Sequence, residues 1–568
     1  MHLRAMPIAF AIGLSVLTPG PGSAGEGVAG SYLAGRSALA HFDYAEAATA
    51  FTQALIASPR NAQFLENAVM SRVATNEIEL ALPMVRQLDS IGAASQAAAM
   101  VTLATLARDE NYDGIISELD RGRSSGKLVD GLARAWALIG TGRMSEATAA
   151  FDDLGKLEGL KPFAAYHKAL ALASVGDFEG ADAILRSGDA DPLGTARRGL
   201  IARAQILSQL ERQNEAAALL AEAFGTDPDP QIARMLGDLR AGKALPFTIV
   251  TGPRDGLAEV LFNVAAAMMD YKPDPYTLGY ARLAALVRPG HIEAIMLAAG
   301  ILEAQGQYVL AGDAYNAVPR EDPAYHAAEL GRAAVLIKAG RTDAAIETLV
   351  QLAKTFPDMP RVWISLGDTL RRVERYAEAA RAYDTAIAEF DQTEPSQWPV
   401  YYARGIANER LGNWSQAEAD FRKALDLSPD QPQVLNYLGY SYVEKGQNLE
   451  EALSMIERAE KAEPDSGYIV DSLGWVLFRL GRPEEALVQM ERAVSLMPVD
   501  PVVNDHLGDV YWAVGRRLEA KFQWRRALSF EPETEKEAAR IRRKLEVGLD
   551  VVLQEEGAAP QSVSQNGG

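Results

Sequence analysis

Cysteine is absent from this 568-residue chain, and histidine occurs only six times. Without cysteine there can be no disulfide, iron–sulfur cluster, thiolate zinc site, cysteine nucleophile or lipid attached to cysteine. The histidines never pair at i and i+4 and never form an HExxH motif, so the sequence carries no signature of a helical zinc site. We therefore expect no metal, no cofactor and no lipid anchor.

Positive charge is also scarce. The chain has 56 Lys and Arg against 76 Asp and Glu, which gives a formal net charge of −20. Proteins that bind nucleic acid need a surplus of Lys and Arg to displace counterions from phosphates, so we expect no nucleic-acid partner. Hydrophobic residues make up 48% of the chain, as in a folded protein.

A long apolar run lies near the amino terminus. Residues 1–24 contain a short basic start, an apolar stretch from Ala5 to Leu17, and small residues at Gly22 and Ala24. The apolar stretch is too short to span a bilayer, which needs about 20 residues. This layout is typical of a secretory signal peptide, so we expect residues 1–24 to direct export. The alternative is a frayed, Ala-rich terminus of a cytosolic protein.

No later stretch is apolar for 18 residues, so we expect no integral membrane segment in the mature chain.

The rest of the chain is repetitive. Pro429, Pro464, Pro498 and Pro532 are spaced by 35, 34 and 34 residues. A glycine series (Gly405, Gly439, Gly474, Gly508) and an alanine series (Ala417, Ala452, Ala486, Ala520) follow almost the same period. Small residues let two helices approach closely, and proline cannot continue a helix. Each copy therefore predicts a pair of helices that ends just before its proline.

This pattern resembles the tetratricopeptide repeat (TPR), which has Leu-Gly in helix A, Ala and an aromatic residue in helix B, and a terminal Pro. The resemblance implies an all-α fold, in which tandem helix-turn-helix repeats form a right-handed superhelical solenoid. We place helix-A starts near Val28, Ala62, Leu128, Pro162, Arg197, Ala258, Ile292, His326, Pro360, Trp398, Pro432, Gly467 and Pro501.

The segment from Leu245 to Pro253 interrupts the helical pattern with β-branched residues between two prolines. We expect residues 241–256 to be an extended joint between a degenerate N-terminal array (25–240) and a C-terminal array (257–534), with the best repeats in 326–534. The alternative is a long inter-helix loop within one continuous superhelix.

The end of the chain is typical of a cap. Thr534 and Glu537 have capping-box spacing, and an apolar stripe follows through Ala538, Ile541, Leu545, Leu549 and Val552. Arg540, Arg542, Arg543, Lys544 and Glu546 are expected to be largely on the outer side. We predict a capping helix over 535–556 and a disordered tail over 557–568. The alternative is that the basic helix contacts anionic lipid or a partner.

In the repeat family, positions 2, 5, 9, 12 and 13 of a unit line the concave face. The resemblance therefore implies a protein- or peptide-binding face made of Tyr402, Asn436, Tyr440, Tyr468, Asp471, Trp475, Phe478, Arg479, Asp505, Asp509 and Trp512. Aromatic rings interleaved with Asn, Asp and Arg suit an extended peptide or a partner helix. The alternative is that tight winding buries these rings, Trp475 and Trp512 included, between neighbouring helices.

The stretch from 435 to 528 is similar to the C-terminal signature of a family of envelope TPR proteins of Gram-negative bacteria. One branch of that family is an outer-membrane lipoprotein that binds a carboxy-terminal processing protease and presents cell-wall hydrolases to it. The resemblance implies a periplasmic adaptor, but without cysteine this chain lacks the lipid anchor of that branch.

We therefore expect a non-enzymatic, exported scaffold that binds envelope proteins or peptides, with a periplasmic carboxy-terminal processing protease or its substrates as the implied partners. One alternative is a scaffold of a pilus, secretion or exopolysaccharide assembly. Another is an enzyme with its site in the N-terminal half; we expect no catalytic residues.

Overall fold

The computed structural model describes residues 28–225, 229–269 and 274–557. The expected signal peptide (1–24) and residues 558–568 of the expected tail lie outside these ranges. Within them the chain forms 31 α-helices, one short 3-10 helix at Pro395–Gln397 and no strand. Two compact units divide between Thr348 and Leu349, within α19 (Thr342–Thr355).

The first unit consists of helices that pack mostly against their neighbours in sequence. They are α1 (Val28–Ala40), α2 (Tyr44–Ala57), α3 (Ala62–Ala74), α4 (Ile78–Ser90), α5 (Gln96–Arg108), α6 (Tyr112–Asp120), α7 (Lys127–Gly140), α8 (Met144–Gly155), α9 (Lys161–Ser174), α10 (Phe178–Ser187), α11 (Arg197–Gln209), α12 (Gln213–Phe224), α13 (Pro230–Arg240), α14 (Pro253–Met268), α15 (Pro275–Val287), α16 (Ile292–Ala304), α17 (Tyr308–Asn316) and α18 (Tyr325–Lys338).

The second unit contains the regular repeats. Its helices are α20 (Pro360–Arg372), α21 (Tyr376–Ala388), α22 (Trp398–Arg410), α23 (Trp414–Leu427), α24 (Pro432–Lys445), α25 (Leu449–Ala462), α26 (Gly467–Arg479), α27 (Pro483–Leu496), α28 (Pro501–Ala513), α29 (Arg517–Ser529), α30 (Glu535–Val547) and α31 (Leu549–Glu555). The expected all-α fold of tandem helix pairs is confirmed. The expected helix-A starts lie within one residue of helix starts, except that α14 begins at Pro253 instead of near Ala258 and α5 has no expected counterpart.

A glycine in the first helix of each regular pair lies against a large side chain of the second. A Cβ atom built on Gly405 would lie 2.6 Å from Phe421, and one on Gly508 would lie 2.4 Å from Trp524. Gly35 has the same relation to Phe51 in the first unit, at 2.9 Å. These distances leave no room for a methyl group, so glycine sets how closely the paired helices approach.

Residues 241–256 do not separate two arrays, and the expected joint must be corrected. The segment is neither helix nor strand, but Leu245, Ile249 and Val250 are buried in the same hydrophobic core as residues before and after it. The two helices that follow the segment, α14 and α15, pack against helices of the expected N-terminal array. A Cβ atom built on Gly256 of α14 would lie 2.2 Å from Trp136 of α7, and one on Gly279 of α15 would lie 2.9 Å from Met70 of α3.

The expected capping helix is two helices, α30 and α31, divided at Gly548, which has a φ of +89°. The capping box is present: Thr534 accepts a hydrogen bond from the Glu537 amide, and the Glu537 carboxylate accepts one from the Thr534 amide. Ala538, Ile541, Leu549 and Val552 of the stripe are buried. Lys544 is the exception to the expected outer face, since its side chain is completely buried.

Among the helices that the structure describes, none is long and apolar enough to cross a membrane.

The glycine contacts lead to a test by methyl insertion. Gly508→Ala should lower the free energy of unfolding by about 1–3 kcal/mol, because the new Cβ would overlap the Trp524 ring. Gly300→Ala is the matched control, since Gly300 lies inside α16 with no atom within 4 Å of its built Cβ. That change should be neutral or stabilising by up to about 1 kcal/mol. Urea unfolding of both variants gives the comparison, and equal behaviour would contradict the role assigned to the glycine.

Candidate protein-binding face of the second unit

The eleven residues of the expected binding face lie on α22, α24, α26 and α28, the first helices of four successive pairs. α24 contacts α26, and α26 contacts α28, so side chains from neighbouring pairs can meet. We call this set of eleven positions the inner face. The structure divides it into an accessible part with unpaired polar groups and a buried part in which polar groups are paired.

The accessible part is formed by Asn436 and Tyr440 of α24 and Arg479 of α26, all half-buried. Asn436 and Tyr440 are four residues apart, so they lie on one side of their helix. The Oδ1 atom of Asn436 is buried without a hydrogen-bond partner in the part of the chain that the structure describes. A buried unpaired acceptor is costly. Asn436 therefore holds an unsatisfied acceptor, which a rotation of its half-buried side chain would have to bring to the surface before a partner could bind it.

The other two side chains bring a hydroxyl and a positive charge. Burial raises the pKa of Tyr440, the carboxylates of Glu444 and Asp471 raise it further, and the positive charge of Arg479 opposes them. Arg479 forms no ion pair with any described residue. These groups can bind a hydrogen-bonding chain that also carries negative charge.

Tyr402 and Tyr468 lie at the edges of the inner face. Tyr402 is half-buried, and its ring packs against Tyr437 and Phe421 with centroid distances of 5.8 and 6.0 Å. Tyr468 is 65% exposed at the start of α26. Tyr402 is thus part of an aromatic cluster, whereas Tyr468 presents its ring to solvent.

The expectation that Trp475 faces an open groove is wrong. Its side chain is buried, the ring stacks on His506 with a centroid distance of 4.0 Å, and the indole N–H donates to Glu444 at 2.8 Å. Phe478 is also buried, and its ring stacks on the ring of Trp475 with a centroid distance of 5.1 Å. The alternative reading, in which neighbouring helices cover these rings, describes Trp475 and Phe478 correctly.

Asp471 is buried because it pairs with His506 of the next helix pair. Nδ1 of His506 lies 3.0 Å from a carboxylate oxygen of Asp471. Burial alone disfavours the charged imidazolium, but the carboxylate of Asp471 outweighs burial, and the pKa of His506 is raised. The carboxylates of Asp505 and Asp509 add to this effect.

Asp505 and Asp509 are the next two members of the inner face, and they bind Lys544 of α30. Nζ of Lys544 lies 2.8 Å from Asp505 and 2.7 Å from Asp509. Asp509 also accepts a hydrogen bond from the indole N–H of Trp524, at 2.9 Å. A lysine can be fully buried when its charge is paired and its protons are donated. This contact joins the capping helix to α28.

Trp512 lies under the end of the chain. Its ring is half-buried, its N–H donates to Asp550 of α31 at 3.0 Å, and Arg517 lies over it at 4.9 Å. A Cβ atom on Gly548 would approach the ring to 2.3 Å. The ring is therefore covered by the capping segment instead of being open to a partner.

Sequence reasoning missed His506, Glu444 and Lys544. Lys544 is one residue before Leu545 of the expected apolar stripe, and position 544 is three residues after Ile541. A lysine beside an apolar stripe, with Asp505 and Asp509 one turn apart on another helix, is a signal of a buried ion pair. His506 carried no such signal, because its partner comes from a different repeat.

A buried ionic cluster lies in the first unit, the part of the chain in which the alternative enzyme hypothesis places its site. Glu259 is fully buried and lies 2.7 Å from Arg198, 3.2 Å from Nε2 of His291 and 3.2 Å from the hydroxyl of Tyr166. Burial acts to raise the pKa of Glu259, but Arg198 and His291 outweigh burial and hold it well below its usual range. The carboxylate is fully engaged by its neighbours, as in a structural ion network.

Among the described residues no group of three or more His, Asp or Glu could hold a metal ion.

Comparison with known proteins identifies the repeats. The family described as tetratricopeptide repeat matches residues 32–98, 330–394, 364–432, 402–464 and 437–501. A TPR repeat-containing protein of Pseudomonas aeruginosa is 29% identical over 156 residues, which are 27% of this chain and 26% of that protein. The chain thus covers about a quarter of the length of this curated relative.

Two solved structures show the degree of structural likeness. The Cut9–Hcn1 hetero-tetramer of the APC/C has a TM-score of 0.37 at 14% identity, with coverage of 91% of this chain and 96% of that chain. A tetratricopeptide repeat protein from Parabacteroides merdae has a TM-score of 0.37 at 16% identity, with coverage of 45% and 98%.

Residues 32–98 and 330–501 therefore match the tetratricopeptide repeat family. These matches cover the first two helix pairs and most of the regular repeats in the second unit.

The His506–Asp471 pair predicts a pH-dependent stability. Because the folded-state pKa of His506 is raised, its contribution is complete below the unfolded value of about 6.5 and is lost as pH rises through the folded value. His506→Gln should therefore destabilise the protein more at pH below about 6 than at pH about 8.5. Urea unfolding across this range measures the difference.

Asp471→Asn is the control for that series, since it keeps the histidine but removes the carboxylate. In the Asp471→Asn background, His506→Gln should have a much smaller pH-dependent effect. An effect of His506→Gln that is the same at every pH in the parent chain would contradict the assigned pairing.

Proposed function

We propose that this protein is an exported scaffold or adaptor that binds envelope proteins or peptides at the accessible part of the inner face. The proposal is carried by Asn436, whose buried Oδ1 has no partner among the described residues, beside the unpaired cation of Arg479. On this proposal the half-buried Asn436 side chain rotates to expose Oδ1, and a backbone N–H of the partner supplies the missing donor.

The same groups define the chemistry of the partner. Asn436 accepts from a backbone N–H, Arg479 donates to a carboxylate or carbonyl, and Tyr440 supplies apolar ring surface and a hydroxyl. Together they suit an extended peptide segment with an acidic group. Trp475, Phe478, Asp505 and Asp509 support this surface from within, because their rings and charges are engaged inside the protein.

Export and partner identity are the finer parts of the proposal. The layout of residues 1–24 supports a signal peptide that is cleaved after Ala24. The similarity of residues 435–528 to envelope TPR proteins supports a periplasmic location and an adaptor role. On this proposal, the partners are a periplasmic carboxy-terminal processing protease or the substrates presented to it.

A double substitution tests the binding face. Asn436→Ala with Arg479→Ala should weaken partner binding by about tenfold or more. It should leave thermal stability nearly unchanged, because these side chains form no ion pair or hydrogen bond through Oδ1 or the guanidinium among the described residues. The tagged chain is used to capture proteins from a periplasmic extract, and affinity for the captured protein is then measured directly.

Two control variants make the result specific. Arg381→Ala removes an exposed arginine from α21, on a second helix of a pair, and should leave binding unchanged. Trp475→Ala should instead lower stability by about 3 kcal/mol or more, as expected for a buried aromatic side chain. Unchanged affinity in the Asn436/Arg479 variant would contradict the proposed face.

A further inference from the structure

The outward face of α29 differs from the equivalent face of the helices before it. α25, α27 and α29 begin at residues 449, 483 and 517, a regular step of 34 residues. The second residue is exposed Glu450 in α25, exposed Glu484 in α27 and Leu518 in α29. The carboxylates have been replaced by an apolar side chain at the same place in the fold.

The difference between α29 and the earlier helices continues along the helix. The ninth residue is Glu457 in α25, Glu491 in α27 and Arg525 in α29, and all three are exposed. The sixth residue changes from Ser454 through Val488 to Phe522. Thus the sign of the charge reverses in the last regular pair, whereas an exposed apolar side chain is already present in α27 at Val488 and is joined by a second one, Leu518, only in α29.

Internal packing does not use these side chains. α29 packs through Ala520, Trp524 and Ala527, which are buried, whereas Leu518 and Phe522 are 83% and 59% exposed. Residues four apart on a helix are neighbours, so the two apolar side chains protrude together. An exposed leucine and phenylalanine side by side indicate a surface that is covered in some functional state.

Unpaired positive charges surround the two apolar side chains. Arg517, Lys521 and Arg525 form no ion pair with a described residue, although Arg517 lies over the ring of Trp512. From Arg516 to Lys544 the sequence has ten basic and five acidic residues, within a chain of net charge −20. The positive charge is therefore concentrated at this end of the second unit.

We propose that the outward face of α29 docks onto the surface of a membrane that contains anionic lipid. Protruding Leu and Phe side chains can insert among acyl chains while neighbouring Arg and Lys contact phosphate groups. Two apolar side chains are few for a stable protein interface, which buries about 1,200 Å² or more. A lipid surface needs no matching pocket, so the charge complementarity and the protrusion favour it over an acidic protein.

This docking is independent of the proposed peptide-binding face, since it uses the second helix of a pair and none of the inner-face residues. It would hold the protein at a membrane surface. Its mode is peripheral, through two inserted side chains and three cations.

Vesicle sedimentation tests the proposal with the full chain. The protein should sediment with vesicles of phosphatidylglycerol mixed with phosphatidylcholine, less so at high salt, and remain in solution with phosphatidylcholine alone. Leu518→Ser with Phe522→Ser, and separately Arg517→Gln with Lys521→Gln and Arg525→Gln, should each lower the partition onto the mixed vesicles by about tenfold.

Two matched variants are the controls. Ile56→Ser with Val309→Ser removes two apolar side chains that are 80% and 68% exposed elsewhere. Arg542→Gln with Arg543→Gln removes arginines that are paired with Glu535 and Glu555. Both should bind vesicles like the parent chain, and all variants should keep the parent's melting temperature.

Three results would overturn the proposal. The parent chain could stay in solution with anionic vesicles, or the control variants could lose binding as much as the α29 variants. Alternatively, sedimentation without lipid could show a dimer that Leu518→Ser with Phe522→Ser abolishes, which would assign this face to self-association.

Discussion

The contact between a helix-A glycine and a large helix-B side chain is the constraint on which the regular repeats depend. At Gly405, Gly474 and Gly508 the built Cβ atoms lie within 2.8 Å of Phe421, Met490 and Trp524. Within each pair, one side of the first helix packs against the second helix. Another side of the first helix can therefore contact the first helix of the next pair, as α24 contacts α26 and α26 contacts α28. The inner face and its interactions between repeats follow from this spacing.

The interactions along the inner face change towards the end of the chain. Around Asn436 and Arg479 the polar groups have no partner among the described residues, which leaves them available to a ligand. The carboxylates of the inner face are instead paired: Asp471 with His506 of the next repeat, and Asp505 and Asp509 with Lys544 of the capping segment. The capping segment thus closes one part of a face whose other part is accessible.

Much of the fold could be predicted from the sequence, because small residues, helix-breaking prolines and a 34-residue period act locally. The expected start of α14 was several residues late, and the placement of α14 against α7 was missed because it depends on Gly256 meeting Trp136, a contact distant in sequence. The inner-face positions were located by the repeat register, but their exposure was not. Burial of Trp475 depends on His506 in the next repeat, and burial of Lys544 depends on two aspartates of α28.

The central claim is that Lys544 closes the inner face as a buried counter-ion of Asp505 and Asp509. The most direct measurement compares Lys544→Met with Arg543→Met by urea unfolding, since Arg543 is adjacent, exposed and paired only at the surface. Lys544→Met should lower the free energy of unfolding by about 3 kcal/mol or more, because two buried carboxylates lose their cation. Arg543→Met should leave it nearly unchanged. Equal unfolding midpoints for the two variants and the parent chain would contradict the account.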